Sequence, residues 1–230
     1  MKGQAVLLPL ATLAKYVFAQ ADTVAYTDAE TGIKFQSYTD TVTNTSWRVA
    51  LPLSTDGNYD VLVQIEGPSS LGWIGWAWGG TMAYNPLTLT WPNGNSVIHS
   101  SRMAYGYHSP DVFNETTYQV LKGTTVSGGN LKFTALCKGC SSWADPDGNQ
   151  QSLDLTQPAR LAFALSHTVV ANPGDSASSF DIHDSVGHWY ADLAAAKSED
   201  FDTWVKDNTI PASNATVILR HRPIRPVEMK

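Results

Sequence analysis

The sequence predicts an all-β chain folded as an antiparallel β-sandwich with one short C-terminal helix. Three observations carry that prediction. Short segments of alternating apolar residues recur along the chain, turn-forming clusters separate them, and only one late segment carries a helix start. At 230 residues the chain suits a single sandwich domain and is long enough for a complete hydrophobic core.

Taken in order, residues 1–19 read as a signal peptide. Lys2 precedes the apolar run AVLLPLATLA, and Val17 and Ala19 suit the −3 and −1 positions of a cleavage site before Gln20. From Val24 come VAYTD, GIKFQSY and TSWRVALPL, then YDVLVQIEG after the Asp56-Gly57-Asn58 turn. Val61, Val63 and Ile65 alternate and therefore share one face. Leu71–Pro92 is the most distinctive stretch: Trp73, Trp76, Trp78 and Trp91 surround Gly79-Gly80-Thr81-Met82. Trp76-Ala77-Trp78 reads as a strand buried on one face, and the paired glycines let the backbone bend and approach something flat. SVIHSSRMAYGY, TTYQVLKGTTV, NLKFTALCKGC and ARLAFALSHTVV read as further strands, with Ser127-Gly128-Gly129-Asn130 as a hairpin turn. Near the end, Ser198 is the expected N-cap of a helix with Glu199, Asp200 and Asp202 in its first turn and Trp204 and Val205 facing inward. The domain is expected to span residues 20–212, followed by a basic, unstructured tail over residues 213–230.

The formal net charge is −6, and six of the fifteen basic groups sit at the two ends. Residues 20–219 hold 9 basic and 20 acidic side chains, which argues against nucleic acid as a partner and suits a secreted protein or docking to a basic surface. Beyond the leader no run approaches the ~18 apolar residues of a membrane span. Cys137 and Cys140 are the only cysteines. In an oxidising compartment they are expected to bridge each other across a tight turn. A redox-active pair is the alternative, although no βαβ pattern surrounds it. Ser141 follows Cys140, so the Cys-x-x-Cys-His signature of covalent haem attachment is absent. Glycosylation sequons at Asn44, Asn114 and Asn214 agree with secretion.

For chemistry, a Met–His pair is one of the recurrent axial sets for a non-covalent haem. The internal methionines are Met82 and Met103, and either is equally suited to filling a core. The available imidazoles are His99, His108, His167, His183 and His188. His183 lies in the loop-like segment FDIHDSVGHW, where Asp181 and Asp184 flank it, Gly187 loosens the chain, and a neighbouring carboxylate or carbonyl is suited to fixing its tautomer. His183 and His188 do not match the HExxH zinc spacing.

In order and spacing, GWIGWAWGGTM, SSRMAYGYHSPDVF, CKGCSSW and FDIHDSVGHW resemble the secreted cytochrome domain of fungal cellobiose dehydrogenases, a haem domain of iron-reductase type within the DOMON-like superfamily. The similarity runs from about Val24 to Lys206. It implies an immunoglobulin-like sandwich binding haem b, with Met82 and His183 as the axial ligands. It also implies Trp73 and Tyr107 beside the macrocycle or a propionate. Arg102 is a candidate propionate partner, because guanidinium suits carboxylates, and a solvated strand arginine is the alternative.

The flavin domain has no counterpart here: no GxGxxG follows a strand, and GxSxG and HExxH are absent. Copper polysaccharide oxygenases begin their mature chain with His, whereas the expected start here is Gln20. The resemblance therefore implies the cytochrome module alone: a secreted one-electron carrier, fed by a flavin dehydrogenase and discharging to a copper polysaccharide oxygenase, ferric iron or a quinone. The competing expectation is a haem-free carbohydrate-binding sandwich, with Trp76, Trp78, Trp91 and Tyr84 stacking on sugar rings.

Overall fold

The computed structural model describes residues 20–211. The signal-peptide segment, residue 212, the basic tail and the Asn214 sequon lie outside the described residues. The elements run β1 (Val24–Thr27), β2 (Lys34–Asp40), β3 (Thr45–Pro52), β4 (Val61–Pro68), β5 (Trp73–Ala77), β6 (Pro86–Asn93), β7 (Ser96–Met103) and β8 (Asp111–Val112). They continue with β9 (Thr117–Val120), β10 (Thr125–Ser127), β11 (Asn130–Lys138), β12 (Ser142–Ala144), β13 (Gln150–Ser152), β14 (Ala159–Ser166), β15 (Ser185–Ala191), β16 (Lys197–Ser198) and α1 (Phe201–Asn208).

Two antiparallel sheets face each other. The first has the order β1-β2-β3-β4-β11-β10, with β9 also on β11 and β16 making a two-residue parallel pairing with β3. The second has the order β15-β14-β5-β6-β7-β8. The all-β, antiparallel expectation and the single short helix both hold.

Alternation places the expected Val61, Val63 and Ile65 in the core between the sheets. Trp47, Trp76, Trp189 and Phe163 join them there, with Trp47 and Phe163 stacked at 4.5 Å between centroids. β3 and β4 are buried almost throughout, because α1 covers the other face of the first sheet. Phe201 and Trp204 pack there on Ala50, Leu62 and Leu136. The helix starts two residues later than its sequence suggests. Ser198 lies in β16, its Oγ accepting a bond from the Asp200 N–H at 3.1 Å, and Asp200 occupies the N-cap without a side-chain cap bond.

The Gly128-Gly129 loop joins β10 to β11 with Ser127 opposite Asn130, and both glycines have φ near the values a two-residue hairpin needs, +59° and +83°. TTYQVLKGTTV, read as one strand, is instead β9 and β10 broken at Gly123, whose φ is +82°. The SVGHW segment, read as a loop around a loosening Gly187, is β15. A Cβ on Gly187 would lie 2.4 Å from Phe163 Cε1, so this glycine admits the Phe163 ring instead of loosening the chain. Cys137 and Cys140 form a disulfide, and both are fully buried, which disfavours exchange with outside thiols. Asn44 and Asn114 are exposed.

Among the described residues no helix is long and apolar enough to cross a membrane.

His99 sits between Tyr118 and Phe133, with ring centroids 5.5 and 5.2 Å away, and burial pushes its pKa down. The unfolded chain therefore takes up this proton first on acidification. Stability is expected to fall as pH drops below about 6.5 and to level off below the folded-state pKa. Denaturant titrations across pH 4–8 should show this step in the parent protein and its loss in His99→Phe.

Candidate functional site

The outer face of the second sheet carries a cleft of about 700 Å³, within the ~300–1,000 Å³ range of small-molecule sites. Its floor follows from strand register. Ala162 lies opposite Ala77 and His188, and Ala77 opposite Leu87; one row along, Ala164 lies opposite Gly75 and Val186, and Gly75 opposite Leu89. Side chains on one face of a strand recur every second residue. Small residues thus meet at the middle of the floor, with larger ones on both flanks. The same alternation sends Ile74 and Trp76 into the inter-sheet core. At Gly75 a Cβ would come within 3.3 Å of both the Ala164 carbonyl and the Trp73 ring. The result is a broad, flat, apolar surface.

Met82 lines one side of this cleft, half-buried, and packs on the apolar cluster of the floor. Its loop is tightly determined. Gly80 has φ +74°, and a Cβ on Gly79 would fall 1.6 Å from Asn85 Oδ1. Asn85 Nδ2 donates to Thr81 O, Thr81 Oγ1 and Ala83 O at 3.2, 2.7 and 2.9 Å. Tyr84, held at φ +63°, donates its N–H to Ala104 O, and its own carbonyl accepts from Trp143 Nε1. The left-handed conformation of a non-glycine residue persists because neighbours fix both of its peptide groups.

His183 lines the same cleft from the segment preceding β15. The flanking carboxylate acts differently from the sequence expectation. Asp184 accepts bonds from the His167 N–H at 2.8 Å and from Ser166 Oγ at 3.4 Å, and its Oδ2 lies 3.0 Å from His167 Nδ1. The His167 N–H, with its ring next in weight, holds the Asp184 carboxyl below the usual range. Asp184 therefore fastens the chain beside His183 to the end of β14 and leaves the His183 ring to other partners.

Trp73 lines the cleft and is buried, with its ring 5.1 Å from that of Phe180. Its Nε1–H is buried and has no hydrogen-bond partner among the described residues. Tyr107 also lines the cleft but at its rim, 91% exposed. Arg102 does not line the cleft. It is buried at 3% exposure, and its guanidinium donates to Ser100 Oγ and to the carbonyls of Pro110, Ser176 and Ser178. It is therefore not a solvated strand arginine, and its guanidinium donors are engaged within the protein.

The sugar-stacking arrangement fails on geometry: Trp76, Trp78 and Trp91 are at most 1% exposed. Trp78 Nε1 is committed to Thr88 Oγ1 and Trp91 Nε1 to Pro173 O. Sequence reasoning missed Asn85 and the Asp184–His167 contact, and it named His108 and His188 only among the available imidazoles. The last two also line the cleft. Only the proximity of Asn85 to the Gly-Gly turn hinted at any of these.

The fold and cleft define a class, a β-sandwich with a ligand site on the outer face of one sheet. Residues 26–203 match the family model described as the cytochrome domain of cellobiose dehydrogenase, and the chain belongs to that family. A pyrroloquinoline quinone-dependent pyranose dehydrogenase from Coprinopsis cinerea is 26% identical over 194 residues, 83% of this chain and 26% of that protein. The chain thus spans about a quarter of that relative's length. The crystal structure of the cytochrome b domain of pyranose dehydrogenase from Coprinopsis cinerea superposes with TM-score 0.74 at 25% identity, covering 80% of this chain and 95% of that one. The cytochrome domain of Myriococcum thermophilum cellobiose dehydrogenase shares the fold, with TM-score 0.73, 24% identity and coverage of 83% and 98%.

Asn85→Ala removes three bonds at a half-exposed position and is expected to cost about 1 kcal/mol, measured as a lower urea midpoint with an unchanged slope.

Proposed function

We propose that the cleft holds a b-type haem with Met82 and His183 as axial ligands, and that the domain carries single electrons. The observation that carries this reading is that these two side chains, widely separated in sequence, line one cleft over a flat floor of small residues. Three features fit the group. The floor suits a planar macrocycle, the thioether and imidazole suit iron, and the lining of Trp73, Leu87, Leu89 and Phe180 suits its apolar faces. Bound there, haem supplies a one-electron iron couple.

The chain's own residues supply the rest. Met82 and His183 would hold the iron, and with both as its protein ligands the group would supply one-electron transfer rather than oxygen or peroxide binding. Trp73 would pack beside the group from β5, while Tyr107 stands at the rim. The apolar floor keeps water from the site, which tunes the potential along with the ligand identity.

The same reading makes the protein secreted. Electrons enter from a dehydrogenase: a flavin enzyme by resemblance to cellobiose dehydrogenases, or a quinone-dependent one as in the Coprinopsis relative's name. They leave to a copper polysaccharide oxygenase, ferric iron or a small quinone. Burial of three of the four proposed stacking rings removes the support for a haem-free sugar-binding module.

Purified protein is expected to show a low-spin haem spectrum whose Soret band shifts on dithionite reduction. Met82→Ala should convert part of the signal to high spin, and His183→Ala should lose haem on gel filtration. A protein that stays colourless after incubation with haemin, or spectra unchanged in both variants, overturns the assignment.

A further inference from the structure

Arg102 is the most fully engaged buried cation beside the cleft. It sits on β7, opposite Leu87 of the floor strand β6 and Val112 of β8. Its Nε donates to Ser100 Oγ at 2.6 Å, within its own strand. Its Nη1 donates to Pro110 O at 3.2 Å, and its Nη2 to Ser176 O and Ser178 O at 2.9 and 2.7 Å. These carbonyls belong to two loops that meet nowhere in sequence. One runs from Ala104 to Pro110 and carries Tyr107 and His108; the other runs from Ala171 to Asp184 and carries Phe180 and His183. The guanidinium also stands 5.4 Å from the Phe180 ring centroid, and Phe180 packs on Trp73.

Among the described residues no carboxylate lies within ion-pair distance of Arg102. Its buried charge is met by carbonyl dipoles and a hydroxyl, with longer-range attraction from the carboxylates of Asp175 and Asp111. A buried charge without such partners is costly, so the cation and the two loops hold one another. The second loop is itself compact. Asn172 N–H donates to Ser178 Oγ at 2.7 Å, and Ala171 N–H to Ser179 O at 2.9 Å. Fixing Ser176 and Ser178 therefore fixes the start of the segment ending at His183, while Asp184 fixes its other end on β14.

We propose that Arg102 is a positioning residue that clamps the two rim loops of the cleft, holding the His183 arm and the Tyr107 loop in register with each other. The clamp requires arginine. A planar fork reaches both loops at once, whereas a lysine ammonium reaches only one point. The clamp itself is independent of the cofactor; its effect on haem retention rests on the haem reading above.

The test compares the parent protein with Arg102→Lys, Ser100→Ala and a control, Leu131→Ala, in the inter-sheet core. Two quantities are read: hydrogen exchange of the amides in residues 104–110 and 171–183, and the rate of haem release to an excess of apomyoglobin. Arg102→Lys is expected to exchange faster in both loops together and to release haem about tenfold faster. Leu131→Ala should lower the melting temperature without either effect. Ser100→Ala, which removes only one acceptor, should give a smaller change of the same kind and decides the matter if Arg102→Lys does not fold. Unchanged exchange in both loops, loosening of one loop alone, or equal acceleration in the Leu131→Ala control overturns the clamp. A parent protein that takes up no haem overturns the haem reading instead, and the exchange data still decide the clamp.

Discussion

The whole site depends on the two-residue period of β5 within its sheet. Trp73, Gly75 and Ala77 face the cleft, while Ile74 and Trp76 face the opposing sheet. A shift of register by one residue would bring tryptophan to the cleft floor and glycine to the core, destroying both. Core packing thus specifies the register, with Trp76 stacked on Trp78 at 4.3 Å and both buried, and the register in turn specifies a floor smooth enough for a flat ligand. Stability and function are set by opposite faces of the same five residues.

The two candidate ligands reach this floor by different means. Met82 comes from a turn immediately after β5 whose shape is local: two glycines, a left-handed Tyr84 and a side-chain amide that closes the turn on itself. His183 comes from an irregular arm that has no such internal device and is secured at its ends by Asp184 and Ser178. A rigid turn thus carries one candidate ligand, and an arm anchored at both ends carries the other.

The sequence made the local features legible. Alternation gave the strands, the Gly128-Gly129 pair gave a hairpin with both residues at positive φ, and the short Cys137–Cys140 spacing gave the disulfide. Met82 and His183 stood out through a resemblance, and the structure brings both to one cleft. What escaped were relations between distant segments. Gly187 reads as flexible in isolation and as a packing glycine once Phe163 is opposite it. Asp184 reads as a partner for its neighbour His183 until the fold presents the His167 amide. Arg102 reads as a propionate partner until two loops, each far from the other in sequence, wrap its guanidinium. The helix start was misplaced because Ser198, a good N-cap by type, is drawn into pairing with β3.

The most direct measurement is a crystal structure of the haem-loaded protein. The account predicts iron bound by the Met82 sulfur and a His183 ring nitrogen from opposite sides of the macrocycle. Iron ligated instead by His108 or His188, the other imidazoles of the cleft, or haem seated away from the Gly75 floor, would contradict it.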